Sequence, residues 1–437
     1  MASISIKAGL NLPFKKEANP LITRIVDSKT ICIDLEPFTY LNLKLTKNLN
    51  ETIKKGEVLA KDTVEPTRVY LSHCSGEIIS IQRGERRKIT GVTIKLLEIG
   101  QMDQSGIDLT LSKERLMEEI FSKGLSFFIH KRPFHRVIEK TDYPRSIFIN
   151  TVNSAPYTPS YKHIFEPNSS FFCTGVSLLK KFAPVHIISN EPSFTAFDGC
   201  LVHEVLGPHP IESPSLHIKA IDPITSLHDV VWSLDVYDVL QIGLMAAKGA
   251  VFSEKIIALC GETIPEAERT LIKSTKGANL FDLSNKTENL ITGDPLTGCV
   301  NKQYMREKDT VIVGFTPNER SKILPFLTFG WNAPTVSKTY LGGFFRRFRK
   351  LQPSQRQGGE KRPFIMKDLY QKHLPFHVYI EPLIKALLAK DFDLAIKLGF
   401  LDIDSKDLAL SEYICPSKIP LMRLFEEGKK TYLDSIK

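Results

Sequence analysis

Apolar positions in this chain fall mostly in short alternating runs, and only a few segments repeat at helical spacing. The densest patterning lies between Phe197 and Gly243. Within it, Leu201 to Val205 and Leu216 to Ile221 read as short buried strands. Asp235 to Ala247 places Val236, Val239, Leu240, Gly243 and Ala247 on one stripe, which predicts a helix. Between the two strand-like runs stands Gly207-Pro208-His209-Pro210. Its prolines fix φ near about −65° and its glycine is free to take a positive φ, so His209 sits on a stiff, bent backbone.

The same reading divides the rest of the chain. Residues 1–100 are expected to be all-β: Ile4, Ile6, Leu10 and Leu12 lead to Pro13, and Thr30 to Leu35 alternates. Ile53 to Ala60 and Cys74 to Ile81 are two further strands, each with a turn glycine. This interval resembles the biotinyl/lipoyl barrel-sandwich fold. A carrier of that type needs a modifiable lysine on the hairpin between its halves. The hairpin here, Val64 to Arg68, has none, and Lys61 lies outside the usual setting, so a scaffold is expected.

Over 101–250 the pattern is mixed. Leu111 to Lys123 predicts a helix stopped by Gly124, and Ser146 to Asn150 and Val185 to Ile188 predict buried strands. Alternation of this kind indicates a Rossmann-like α/β unit. Neither GxGxxG nor GxxxxGK[ST] occurs, so no nucleotide motif accompanies it. Over 251–330, strands at Lys255 to Leu259, Asn289 to Thr292 and Thr310 to Phe315 surround an expected helix at Ile264 to Ser274, which suits a small β-grasp (SLBB-like) domain. Residues 331–437 begin with a basic linker, FFRRFRKLQPSQRQGGEKRP from Phe344 to Pro363. Helices follow at Ile380 to Leu388, Phe392 to Leu398 and Leu408 to Tyr413. The fold class is therefore α+β, multidomain.

Composition narrows the function. Apolar residues at 42% and charged residues at 24% are those of a soluble globular protein. No apolar run approaches the roughly 18 residues of a membrane span, and no secretory signal opens the chain, so an intracellular location is expected. The net charge of +9 permits an anionic partner without choosing one. Seven scattered cysteines form no CxxC, which argues against disulfide, zinc-ribbon and iron–sulfur frameworks. His203-Glu204 begins an HExxH helix that Gly207 breaks, and His203, His209 and His217 match no standard zinc spacing. Interleaved phenylalanine and arginine near Phe344 would also suit a nucleic-acid-binding module.

LNLPF (Leu10 to Phe14), SGEIISIQRGERR (Ser75 to Arg87), KRPFHRV (Lys131 to Val137), FDGC with GPHP, IDP (Ile221 to Pro223), VWSLDVYDVLQIG and the late YICPSK occur in order. Together they resemble the A subunit of the sodium-translocating NADH:quinone reductase over nearly the whole chain. The turn departs from the family's usual small residues at Ile211-Glu212-Ser213-Pro214. The resemblance implies a peripheral subunit on the cytoplasmic face of the bacterial inner membrane. Its partners would be the other five subunits, B to F, chiefly the membrane-embedded B. The complex passes electrons from NADH through flavins and an iron–sulfur centre in those partners to ubiquinone, and exports sodium. The resemblance further implies no tightly bound cofactor in this chain. Quinone contact is implied near Lys131, Arg132, Phe134 and His135, with Gly207, Pro208, His209 and Pro210 as the motif turn. The C component of the Rnf complex shares parts of this architecture but carries cysteine clusters absent here.

Overall fold

The computed structural model describes residues 2–14, 16–102, 104–194, 197–284, 288–300, 302–316, 361–364 and 369–436. In chain order, β1 (Ala2–Ser5) and β2 (Asn19–Ile25) precede a barrel of β3 (Thr30–Asp34), β4 (Leu43–Leu45), β5 (Thr52–Ile53), β6 (Val58–Asp62), β7 (Val69–Leu71), β8 (Gly76–Arg83) and β9 (Ile89–Leu96). Two sheets, β3-β9-β8-β5 and β4-β6-β7, face each other across Ile31, Ile33, Leu59, Ile78 and Ile94. Lys61 stands exposed on β6, and the β6–β7 connection carries no lysine. The barrel-sandwich expected from the strand–glycine–strand interval is therefore present, but it begins only at Thr30.

The two leading strands serve other sheets. β1 lies parallel to β14 (Leu201–Leu206), and β2 lies parallel to β17 (Thr270–Thr275). After α1 (Lys113–Ser122), capped by Ser112 and stopped at Gly124 in the left-handed region, the chain builds its central sheet. This contains β10 (His130–Arg132), β11 (Arg136–Val137), β12 (Ser146–Asn150), β13 (Val185–Ser189), β14 and β15 (Val231–Asp235), in the order β1-β14-β13-β12-β15-β10-β11. Helices α2 (Lys162–Phe165), α3 (Ser169–Leu179), α4 (Pro214–Ile221) and α5 (Val236–Lys248) belong to it. Strands β12 to β15 and β1 are parallel, and β10 and β11 close one edge antiparallel.

Leu216 to Ile221 is part of α4, not a strand. Pro214 at the first helical turn presets φ and needs no N–H partner there, and Leu216 and Ile218 bury into the sheet. The expected helix at 264–274 is also corrected. Only a turn of 3-10 helix forms, at Glu266–Glu268. Thr270 to Thr275 is instead an inner strand, β17, whose β-branched residues fill a pleated surface better than a helix.

The third sheet runs β19-β18-β20-β16-β17-β2, with β16 (Glu254–Gly261), α6 (Leu280–Leu283), β18 (Leu290–Thr292), β19 (Cys299–Val300) and β20 (Val311–Gly314). The basic run 344–360 lies outside the described residues. Helices α7 (Ile380–Ala389), α8 (Phe392–Lys397), α9 (Ala409–Ile414) and α10 (Leu421–Ser435) end the chain. Their core of Leu383, Ile384, Phe400 and Phe425 is continuous with Phe148, Val152 and Val205 of the central sheet. The C-terminal helices thus cover the central sheet instead of forming a separate body.

Candidate functional site

The KRPFHRV stretch is the hairpin joining β10 to β11. β10 pairs with β15, so the turn stands at the edge of the central sheet, beneath the C-terminal helices. Phe134 and His135 both take positive φ, 79° and 50°, a conformation that side chains with a Cβ tolerate poorly and that a packed neighbourhood must hold. Phe134 is half-buried. Its ring packs 5.4 Å from Phe400 and 5.7 Å from Tyr432. It thus reaches into the helical core as well as towards solvent.

The cations of the turn are mostly committed. Lys131 pairs with Asp142 at 2.5 Å. Arg132 is buried, and its guanidinium donates to Ser233 at 3.3 Å and to Ser215 at 3.1 Å, with Asp404 3.9 Å away. Burial alone would raise the Asp404 carboxyl, but Lys429 and Arg132 outweigh it and hold it below the usual carboxylate range. Asp407 accepts from Ser213 at 2.5 Å, and burial pushes its carboxyl up. His135 stacks on His130 at 4.2 Å, and Lys308 donates to His130 Nε2 at 2.9 Å. Both imidazoles are held neutral, first by burial and then by the surrounding cations. Of the hydrogen-bonding nitrogens on these four candidate residues, those of His135 have no hydrogen-bond partner among the described residues. Nδ1 is enclosed in the protein interior, so Nε2 is the available position.

The GPHP turn follows β14. A side chain at Gly207 would press on the backbone carbonyl of Ile6, 2.7 Å from its Cβ, so close approach of the N-terminal segment requires glycine. His209 N–H donates to Asn11 at 2.8 Å, and Leu10 N–H donates to the His209 carbonyl at 2.8 Å. His209 Nδ1 lies 3.1 Å from Ser154 Oγ, and Glu212 accepts from the N–H groups of Ser154 and Ala155. The turn is a staple that fastens the LNLPF segment and the loop after β12 across the carboxyl ends of the parallel strands. In an open α/β sheet that crevice is where a ligand is ordinarily bound. Phe14, from the N-terminal segment, packs on Tyr157 of the loop after β12 and on Tyr413.

The three histidines considered for a metal do not converge. His203 pairs with His186 at 3.0 Å, His209 with Ser154, and His217 with the Ile211 carbonyl at 2.7 Å. Among the described residues no group of three His, Cys, Asp or Glu side chains is placed to hold a metal ion.

The structure brings the two motif turns into one neighbourhood. Pro210 leads directly into Ser213 and Ser215, which bind Asp407 and Arg132. Asp404, Asp407, Ser213, Ser215 and His130 were not expected from sequence. Asp404 and Asp407, three residues apart, form a reciprocal helix cap, a signature that could have drawn attention to them. Arg132, Ser215, Lys219, Leu401 and Asp402 line a small pocket with about 10 Å³ of free space, enough for at most one water.

Residues 4–97 match the family described as NqrA N-terminal barrel-sandwich hybrid domain, and residues 111–251 the NqrA second alpha/beta domain. The chain is 35% identical to the A subunit of the Na(+)-translocating NADH-quinone reductase of Chlamydia pneumoniae, over 98% of this chain and 97% of that protein. It is 34% identical to the protein of the same name from Chlamydia caviae, over 98% and 96%. The corresponding figure for Haemophilus influenzae is 27%, over 95% and 96%. A solved NAD+-reducing NiFe hydrogenase chain shows 10% identity, covers 67% of this chain and 55% of its own, and has a TM-score of 0.34, too distant to bear on fold or function.

Proposed function

The chain belongs to the NqrA family, the A subunits of Na(+)-translocating NADH-quinone reductases, and on that premise we propose that it contributes to quinone interaction at the β10–β11 turn. It acts as a peripheral component of an oxidoreductase complex that reduces ubiquinone with electrons from NADH and exports sodium. Among the described residues no helix is long and apolar enough to cross a membrane, which accords with a peripheral place. On this reading flavins and the iron–sulfur centre reside in the partner subunits, B to F, and the chain itself holds no tight redox centre. The membrane-embedded B partner is its chief neighbour on the cytoplasmic face.

One observation carries the quinone reading. The partly exposed ring of Phe134 stands beside a neutral imidazole, His135, whose Nε2 is available to a ligand. An aromatic face with one donor is what a quinone ring and its carbonyl require. Lys131 and Arg132, being paired internally, position the turn and do not touch the ring. The free space beside Arg132 is too small for a ring, so contact would fall on the outer face of the turn, shared with a neighbouring subunit.

Phe134→Ala tests this in the assembled complex. A loss of quinone affinity of roughly 1–3 kcal/mol, about 5- to 150-fold, is expected from one aromatic contact and its buried area. The melting temperature of the free chain is measured in parallel, because the ring also packs on Phe400 and Tyr432. A large fall in melting temperature with unchanged quinone dependence would assign Phe134 to the fold alone, leaving complex assembly as the role of this region.

A further inference from the structure

The barrel, the central sheet and the third sheet meet around a small, partly open cavity. The barrel contributes Tyr70 and His73, the central unit Phe128 and Gln241, and the third unit Phe252, Lys276 and Glu307. The free space is about 10 Å³, the room of a single water-sized occupant. Lys276 is 5% exposed, and its Nζ lies 5.3 Å from the centre of the Phe128 ring and 5.7 Å from that of Phe252. Among the described residues its three N–H donors make no hydrogen bond or ion pair. A buried ammonium left so is costly unless something in the cavity accepts from it.

Most acceptors on the lining are engaged, Glu307 through one of its two oxygens. Glu307 accepts from Tyr70 O–H at 2.6 Å and lies 3.5 Å from His73 Nδ1. His73 Nε2 is 3.1 Å from the Lys276 carbonyl, and burial pushes the imidazole down to about 4, so it is neutral and donates there. Gln241 is fully buried, and its Oε1 accepts from Phe252 N–H at 2.8 Å. That bond orients the amide, and its NH2 has no acceptor among the described residues. Charge points the same way. Lys255 donates to the Glu307 carbonyl at 2.7 Å, Lys123 to the Ser105 carbonyl at 2.8 Å and Lys55 to Ser253 Oγ at 3.0 Å. Lys123 also pairs with Glu119 at 3.6 Å, so the lining itself carries two ammonium groups, Lys123 and Lys276, and one carboxylate, Glu307. Asp235 and Asp238, beyond Gln241, bond each other's backbone N–H groups.

We propose that this cavity binds a small monovalent anion of the halide class, held by the Lys276 ammonium and the Gln241 amide at the junction of the three units. The small free space favours a monatomic occupant over phosphate, sulfate or a ring. The donor set, an ammonium and an amide NH2, favours an anion over a cation. Burial pushes the Lys276 ammonium down against the pull of Glu307, and a bound anion would oppose that push. Occupancy links barrel, central sheet and third sheet, so it stabilises the folded chain by mass action.

The probe is sodium bromide, compared with sodium gluconate at equal ionic strength, on the full chain. The wild-type melting temperature should rise saturably with bromide, and a bromide-soaked crystal should give an anomalous peak within hydrogen-bond reach of Lys276 Nζ. Lys276→Met should remove the bromide response. Should that variant fail to fold, Gln241→Glu keeps the acceptor for Phe252 N–H while placing a carboxylate beside Lys276. Apparent bromide affinity should then fall at least about tenfold, by competition for the ammonium. Equal responses of wild type and Gln241→Glu, or a crystal showing only water in the cavity, would overturn the proposal.

Discussion

At the scale of single residues, the turn at 131–135 shows how burial settles what a side chain can do. Histidine ordinarily titrates near neutral pH, yet His130 and His135 are both neutral because burial and neighbouring cations penalise the imidazolium charge. The sign of the pH dependence follows. The unfolded chain takes up a proton near pH 6.5, which the folded imidazole refuses, so stability is present above that pH and is lost as pH falls below it. His130→Gln, which keeps an acceptor for Lys308, should shrink the fall in melting temperature between about pH 7 and pH 5. An unchanged pH profile would mean that His130 is charged in the fold. Residue identity was legible in the sequence, but protonation state was not, because it depends on Lys308, 178 positions away.

At the scale of elements, the closest approach in the central unit is between α3 and α5. A Cβ built on Gly243 would collide with the Phe171 carbonyl oxygen, and one on Gly175 would meet the Val239 carbonyl at 2.5 Å. The α5 stripe read from sequence, with Gly243 in it, is therefore the seam itself. Gly243→Ala should destabilise by about 1–3 kcal/mol through forced separation of the helices, outweighing alanine's better helix propensity. Urea unfolding checks this, and a stabilised variant would refute close contact. Helices with caps or long stripes, such as α1, α5 and α7, were readable because their signals are local. Leu216 to Ile221 and Thr270 to Thr275 were misread because short apolar runs carry no period long enough to distinguish helix from strand. Pro214 and the sheet partners of β17 decided them.

At the scale of the whole molecule, Arg68 clamps the barrel to the central unit. Its guanidinium pairs with Asp62 at 2.7 Å and Glu139 at 2.6 Å and donates to the Ile138 carbonyl at 2.9 Å. The side chains of Arg68 and Asp62 are each 2% exposed. Arg68→Met would leave Asp62 buried without its counter-charge, at a cost of about 3–5 kcal/mol. Arg115→Met, which breaks the exposed pair with Glu118, should cost under about 1 kcal/mol. Chemical denaturation of the two variants compares these costs, and equal losses would mean that water already reaches the Arg68 pair.

The sequence alone determined the barrel, the α/β unit and the membership of a family of reductase subunits, because alternation, helical stripes and ordered motifs are properties of neighbouring residues. It also located the KRPFH and GPHP turns. Only the tertiary structure decided that β1 and β2 leave the barrel for two other sheets, that Phe14 packs between Tyr157 and Tyr413, and that Arg132 is sealed between Ser215, Ser233 and Asp404. Each of those outcomes rests on contacts between positions far apart in the chain. Their energies come from burying one surface against another, and no local pattern encodes which surface that will be.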